Sequence, residues 1–381
     1  MKPLEGLLVL DFAQFLAAPW AATRLADLGA RVIKIERPGT GDICRQLYIS
    51  NLSLDGDSTL FHSINRNKQS FAADLKNPAD LAAVKRLVAR ADVMIQNFRP
   101  GVMERIGLGS DACRALNPRL VYGVVTGYGD GPWREKPGQD LLAQSVSGLT
   151  WLNGNADQPP LAFGLSIADL TASAHLVQGI LAALVRRGIT GQGALVEVSL
   201  LESILDLQFE LTTTFLNDGG KRPERSAINN ANAYLGAPYG IYATADGFLA
   251  LAMGSIVTLG ELLELPALAQ FSAPPTWFTR RDEIKRLIAA HLAAKPTRHW
   301  LDRLEPADYW CAEVLDWNRL WRTDAFKALD FVQQVTRDDG PTLATTRCPI
   351  RIDGQLFKSP RGAPRVGQHT REIQAEFRLQ V

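Results

Sequence analysis

Short apolar runs alternate with stretches of helical spacing through the first half of this chain. Leu7-Leu8-Val9-Leu10 is uninterrupted and predicts a buried strand. Between residues 19 and 28, Ala22, Leu25, Ala26 and Leu28 share one side and Arg24 and Asp27 the other, which predicts an amphipathic helix. Gly29 punctuates, and Arg31-Val32-Ile33-Lys34-Ile35 predicts a second strand. Strand, helix and strand in this order are the seed of a parallel sheet. The pattern then recurs. A helix is expected over 78–91 with Pro78 near its start, and a strand at Val93-Met94-Ile95. A short helix over 110–116, with Ser110 as its cap, precedes a strand at Leu120-Val121-Tyr122-Gly123-Val124-Val125. Such alternation predicts an α/β fold with an open, doubly wound, mainly parallel sheet over roughly the first 200 residues.

The second half reads differently. Val196-Glu197-Val198-Ser199-Leu200 leads into a long helix ending near residue 216. Residues 217–237 lose periodicity and are rich in Asn, Gly, Arg and Ala, as a linker or ligand-facing loop would be. Residues 238–254 predict two strands about the turn Ala245-Asp246-Gly247. Helical segments bearing Trp and Arg follow to about residue 316, and the tail closes with a terminal helix.

Composition narrows the class. A length of 381 residues predicts two domains or more. Lys plus Arg number 41 against 40 Asp plus Glu, for a net charge of +1. That balance gives no support to a nucleic-acid or membrane partner, so an anionic ligand must be met by a local group of cations. The four cysteines, Cys44, Cys113, Cys311 and Cys348, form no CxxC pair, so neither a disulfide framework nor a zinc site is expected. Met1-Lys2-Pro3-Leu4 opens straight into a strand without a signal-peptide pattern. The apolar helix near 170–185 holds His175 and Gln178 and ends at Arg186-Arg187, which favours a buried helix over a membrane span. A cytoplasmic protein is the expectation. A dinucleotide enzyme is not: Glu36 stands where a ribose-binding acid would, but the first strand-to-helix turn, Asp11 to Pro19, holds no glycine.

Several motifs then fall in order. Ala26-Asp27-Leu28-Gly29-Ala30-Arg31-Val32-Ile33-Lys34-Ile35-Glu36 is followed by Asn67-Lys68-Gln69-Ser70 and Asn97-Phe98-Arg99-Pro100-Gly101. Next come Thr126-Gly127-Tyr128-Gly129, Lys136-Pro137-Gly138-Gln139-Asp140, Thr190-Gly191-Gln192-Gly193 and, in the tail, Gly367-Gln368-His369-Thr370. In this order and spacing the chain resembles the class III CoA-transferases, the group with formyl-CoA and carnitine CoA-transferases and with α-methylacyl-CoA racemase relatives. The resemblance implies a large CoA-binding, Rossmann-like domain built from both chain ends, a smaller inserted α+β domain, and an interlocked homodimer. The expected boundaries are 1–200 for the first part, 201–225 a linker, 226–316 the small domain, 317–340 a second linker and 341–381 the return.

The resemblance implies acyl-CoA and a carboxylic acid as substrates, no tightly bound cofactor, no metal, and Asp140 as nucleophile. A carboxylate can attack a thioester because thiolate leaves well, giving an aspartyl anhydride and then an aspartyl-CoA thioester. Without its motif, Asp140 would read as a helix cap. Gln14, Phe15, Ala17, Arg37, Lys68, Asn97, Arg99, Arg105 and Tyr128 are the implied CoA contacts. Gly127, Gly129 and Gly148 are candidate oxyanion donors, with plain turn geometry the alternative. Asp169 reads as a helix cap and His369 as a structural hydrogen-bond partner. Three positions depart from the family. Ala17-Ala18-Pro19 replaces Ala-Gly-Pro, Gln139 replaces Tyr or His, and Asn229-Asn230-Ala231-Asn232-Ala233-Tyr234 stands where a Gly-rich loop is usual. Asn230 and Asn232 are therefore candidates to bind a polar acyl group or acceptor. Two other readings remain open: a racemase at the carbon beside the thioester, whose second acid–base residue the sequence does not name, and a non-catalytic CoA-binding protein.

Overall fold

In the computed structural model of the chain, which describes residues 1–47 and 51–379, the main sheet has six strands. They are β1 (Leu8–Asp11), β2 (Arg31–Glu36), β3 (Lys68–Ala72), β4 (Val93–Gln96), β5 (Val121–Thr126) and β6 (Ala194–Ser199). Their order is β3-β2-β1-β4-β5-β6, and every neighbouring pair is parallel. The alternation of the strands explains the layers. Leu8, Leu10 and Phe12 join Ile33, Ile35, Phe71, Met94 and Tyr122 in one buried cluster. Val84, Leu87 and Val88 of helix α2 (Pro78–Val88) cover that face, with Ile373 of the terminal helix. Each such buried side chain contributes about 1.5–3 kcal/mol.

Helix α1 (Ala17–Asp27) packs against the long helix α4 (Ile167–Thr190), and both pack on the sheet. Ala168, Ala172, Ser173, Leu176, Ile180 and Ala183 of α4 are buried at helical spacing. A Cβ on Gly123 of β5 would stand 3.1 Å from Leu176 and 3.3 Å from Ile180, so the helix rests directly on the strand. Strand order reverses between β1 and β4, and a doubly wound sheet opens its ligand crevice at the carboxyl ends of such strands.

The chain divides into two compact units. The first takes Met1–Ala143, Ser166–Leu207 and Leu329–Val381, and the second takes Gln144–Leu165 and Gln208–Ala328. In the second, β7 (Gly240–Ala243), β8 (Phe248–Leu251) and β9 (Cys311–Glu313) form an antiparallel sheet in the order β9-β8-β7. Its core joins Tyr242, Leu249 and Leu251 to Ile284, Ile288, Trp300 and Leu304.

The differences from expectation have physical causes. Strand β3 escapes the pattern because Lys68 and Ser70 interrupt it, and both are buried with polar partners. The segments 201–225 and 317–340 are not plain linkers. They carry helices Leu200–Leu207, Phe209–Asn217, Trp317–Leu320 and Asp324–Ala328 and the strand Val332–Thr336. Composition marks loops, not packing, and so also missed that 144–165 joins the second unit. Ser110 is the first helical residue behind Gly109, and its hydroxyl caps nothing.

Candidate active site

A cavity of ≈ 280 Å³ opens at the carboxyl ends of β1 to β4. Gln14, Arg37 and Lys76 bring polar groups to it, and Phe12, Leu75, Phe98, Val102 and Ile106 give it apolar walls. Arg37 directly follows β2 and is exposed. Lys76 and Leu75 follow β3, so the rule that ligands meet strand carboxyl ends would have found them once β3 was recognised. The crevice is braced from within. Asn97 Oδ1 accepts the Gln14 N–H at 2.8 Å, and Asn97 Nδ2 donates to the Gln14 carbonyl at 2.7 Å. Asn97 therefore positions Gln14 across the strand reversal, and its amide is engaged there. Phe15 beside it has φ +63° and is half exposed, an uncommon backbone state for a bulky residue.

Other predicted contacts fall elsewhere. Lys68 is fully buried, and its ammonium donates to Asp11 Oδ2 at 2.8 Å, the Pro19 carbonyl at 2.8 Å and Asn65 Oδ1 at 2.9 Å. All three protons are spoken for, so Lys68 is a structural cation and not a phosphate ligand. Burial pulls its pKa down to about 8. Ala17 is buried in the first turn of α1 and does not line the cavity. Arg99 is exposed on a second cavity of ≈ 360 Å³ with Glu104, Arg134, Glu197 and Glu202. Arg105 is exposed at the end of the short helix Val102–Arg105, whose Val102 lines the first cavity. Glu36 does not await a ribose: Arg45 reaches both its oxygens, at 2.9 and 2.7 Å, and Ser70 Oγ donates at 2.6 Å. His369 is structural, its Nδ1 accepting the Ser70 N–H at 3.2 Å.

The loop after β5 brings in the nucleophile candidate. A Cβ on Gly127 would stand 2.6 Å from Gly138 Cα, so glycine lets the loop fold back on the strand end. Tyr128 steadies the same loop, its hydroxyl donating to the Pro137 carbonyl at 3.3 Å and its ring edge-on to Trp133. Gly129 (φ +70°) gives its N–H to Thr126 Oγ1 at 3.1 Å, which removes it as an oxyanion donor. Asp140 follows as the first residue of helix α3 (Asp140–Val146) and is buried. Its Oδ1 accepts the Ala168 N–H at 2.7 Å and the Asp169 N–H at 3.2 Å. The carboxyl thus sits on the amino end of α4, where unpaired N–H groups and the helix dipole favour an anion. Nothing in the sequence points to these two donors. A backbone amide carries no residue-type signal, and the loop-to-helix contact spans 28 residues.

Asp169 is in the first turn of α4, behind the N-cap position Ser166, whose own side chain makes no capping bond. Burial, then the charge of Asp140, pushes the Asp169 pKa up to about 7. In the second unit, Asn230 acts as a staple. It accepts the Ser226 N–H at 3.0 Å, donates from Nδ2 to the Leu152 carbonyl at 3.2 Å, and gives its own N–H to Asn155 Oδ1 at 3.0 Å. Asn232 Oδ1 closes a local turn by accepting the Tyr234 N–H at 2.9 Å. Gly148, at φ +86°, precedes the short helix Leu149–Leu152.

The family model for CoA-transferase family III matches residues 4–370. The chain belongs to this family. As a family III CoA-transferase it is an enzyme whose substrates are CoA thioesters. It is 30% identical to the succinate–glutarate CoA-transferase of Agrobacterium fabrum, over 98% of this chain and 96% of that protein. It is 32% identical to the succinyl-CoA:glutarate CoA-transferase of Mus musculus, over 99% of this chain and 86% of that protein. The crystal structure of a CAIB/BAIF family protein from Brucella suis superposes with a TM-score of 0.84 at 28% identity, covering 99% of both chains.

Proposed function

We propose that this transferase moves CoA from an acyl-CoA to a carboxylic acid through covalent intermediates on Asp140. The observation that carries this is the pair of N–H groups on Asp140 Oδ1, from Ala168 and Asp169. Attack by the carboxylate on the thioester carbonyl breaks the C–S bond and leaves an aspartyl anhydride. When the thiolate attacks the aspartyl carbon, negative charge develops on the aspartyl oxygen that the two N–H groups already hold. Such preorganised donors are worth about 3–4 kcal/mol apiece in comparable acyl transfers. Release of the first acid leaves aspartyl-CoA, which the acceptor carboxylate resolves by the same steps.

The cavity at the strand ends suits the nucleotide end of CoA. Its apolar walls take a base, and Arg37 and Lys76 supply charge for phosphates. The two named relatives are a succinate–glutarate and a succinyl-CoA:glutarate CoA-transferase, so succinyl-CoA and glutarate head the substrate panel. A homodimer is part of the proposal: Val185 and Ile189 of α4 are 70% and 85% exposed, apolar surface that a second copy would cover. Light scattering during size-exclusion chromatography tests this, and a monomer at micromolar concentration would count against it.

Acyl-CoAs and acids incubated in D2O with wild type and Asp140→Ala test the chemistry. New thioesters with wild type only are expected. Deuterium entering the original thioester without new esters would replace this reading with racemisation.

A further inference from the structure

We propose that Lys34 is a positioning residue for acyl-CoA: its buried ammonium joins the turn after β1 to the loop after β2 and so sets two walls of the strand-end cavity before the ligand arrives. This rests on that cavity being the CoA site. Lys34 Nζ donates to the Ala13 carbonyl at 2.7 Å and pairs with Asp42 Oδ2 at 2.9 Å. Ala13 and Gln14 line one side of the cavity, and Arg37, Gly41 and Asp42 line another. The other buried lysine, Lys68, bonds to Asp11, Pro19 and Asn65, none of which lines the cavity.

The turn after β1 is held on every side. The Ala13 N–H goes to Asp11 Oδ1 at 3.0 Å, and Asn97 takes both backbone groups of Gln14. With Lys34 on the Ala13 carbonyl, the backbone N–H and carbonyl groups of both residues bond to side chains. Phe15 follows at φ +63°, a state that a bulky residue keeps only where its surroundings over-determine it. The loop after β2 is closed in its own way. The Gly41 N–H meets the Arg37 carbonyl at 2.9 Å, and the Asp42 N–H meets Glu36 Oε1 at 3.0 Å. Asp42 Oδ1 accepts the Cys44 N–H at 2.9 Å, which leaves Oδ2 for Lys34. Lys34 thus crosses from one closed segment to the other. Burial alone would lower its pKa, but Asp11, Asp42 and Glu36 hold it above the ordinary lysine value, so the tie keeps its charge.

Segments set in advance spare the ligand the cost of ordering them. That benefit is made on binding and kept through the reaction, so it belongs to KM and not to kcat. Asp140, where the chemistry is proposed, lies on neither segment.

Lys34→Met alone leaves the buried Asp42 carboxylate without its counter-charge and threatens folding. The test therefore uses the charge-balanced pair Lys34→Met/Asp42→Asn, in which the Asn oxygen still accepts the Cys44 N–H. CoA-transfer kinetics, calorimetric titration with CoA and hydrogen exchange read by mass spectrometry are compared with wild type. KM for acyl-CoA and Kd for CoA should rise about tenfold, with kcat within roughly threefold. Exchange should quicken in segments 12–16 and 37–44 alone, and bound CoA should restore their protection. An unchanged Kd would overturn the proposal. So would unchanged exchange in the two segments, faster exchange throughout the sheet, or a loss confined to kcat, because these mark an inert or a merely structural tie. Arg37→Ala and Lys76→Ala in the same titration separate this proposal from the reading beneath it. If neither weakens CoA binding, the cavity is not the CoA site and both fall. If either weakens it and the charge-balanced pair does not, the positioning role falls alone.

Discussion

Two groups of carboxyls in the first unit keep different company. Beneath the strand-end cavity each acid faces a cation. Asp11 pairs with Lys68 at 2.8 Å, Asp42 with Lys34 at 2.9 Å, Glu36 with Arg45 at 2.7 Å, and Asp57 with Arg337 at 2.5 Å. Burial alone would raise Glu36, yet Arg45 and Lys34 bring it below its ordinary value. At the head of α4 the arrangement is reversed. Backbone N–H groups hold Asp140, and the effects acting on Asp169 are burial and a like charge, both raising it. The first arrangement joins the strand ends to the C-terminal tail through Arg337, and it satisfies its charges. The second stores unfavourable electrostatics where chemistry is proposed, as reactive sites do.

The sharpest way to break this comparison is Asp140→Asn, which keeps shape and removes the nucleophile. CoA transfer should fall by about 10⁴-fold or more. The urea midpoint should stay near that of wild type, because the Asn amide oxygen can still accept the Ala168 and Asp169 N–H groups. If Asp140→Asn unfolds the protein as readily as a change in the other region, the two regions do not differ in kind.

Lys68→Met is the counterpart on the paired side. It leaves buried Asp11 to the more distant Lys34 ammonium at 3.8 Å, takes the donor from Asn65 Oδ1, and should cost about 3–5 kcal/mol of stability in urea unfolding. Variant that remains folded should bind acyl-CoA with KM within roughly twofold of wild type, since Lys68 does not line the cavity. A tenfold rise in KM without loss of stability would make Lys68 a ligand after all.

Asp169 offers a smaller effect of opposite sign. Its folded pKa is raised, so between the unfolded value near 3.8 and about 7 the native state holds a proton that the unfolded chain has released. Stability from this group therefore falls as pH rises through that window and levels off above it. Asp169→Asn should gain on the order of 2–4 kcal/mol over wild type at pH 8, and little at pH 4. Urea melts of both proteins at the two pH values check it. Equal differences at pH 4 and pH 8 would mean that the carboxyl is not strained.

These contrasts explain what the sequence could show. The strand–helix alternation of 7–35 and 78–125 was plain because apolar spacing reports burial directly. For Asp140 and Arg37 the position alone was legible: motif order sets them at a loop end and a strand end, where the structure has them. The role of Lys68 was not, because a lysine in a motif looks alike whether it faces a phosphate or a buried aspartate. The amides of Asn97 and Asn230 bond to distant backbone that sequence spacing does not reveal. The Ala168 and Asp169 amides and the raised Asp169 carboxyl arise from one contact between the head of α4 and a loop 28 residues earlier. No local pattern announces that contact.

The mildest test concerns the mouth of the cavity, where cations are exposed and unburdened by desolvation. Arg37→Ala and Lys76→Ala should each raise KM for acyl-CoA about tenfold, or about 1.4 kcal/mol, with kcat little changed. A contact made before the chemical step and kept through it affects binding alone. Added salt should raise the wild-type KM and narrow the gap to each variant, since exposed charge is screened. Arg99→Ala is the internal control, because Arg99 lines the second cavity and not the first. If Arg99→Ala raises KM as much as Arg37→Ala, CoA extends across β4 toward the second cavity. If only Arg37 and Lys76 respond, the phosphates lie at the ends of β2 and β3, and exposure separates the ligand cations from the structural ones.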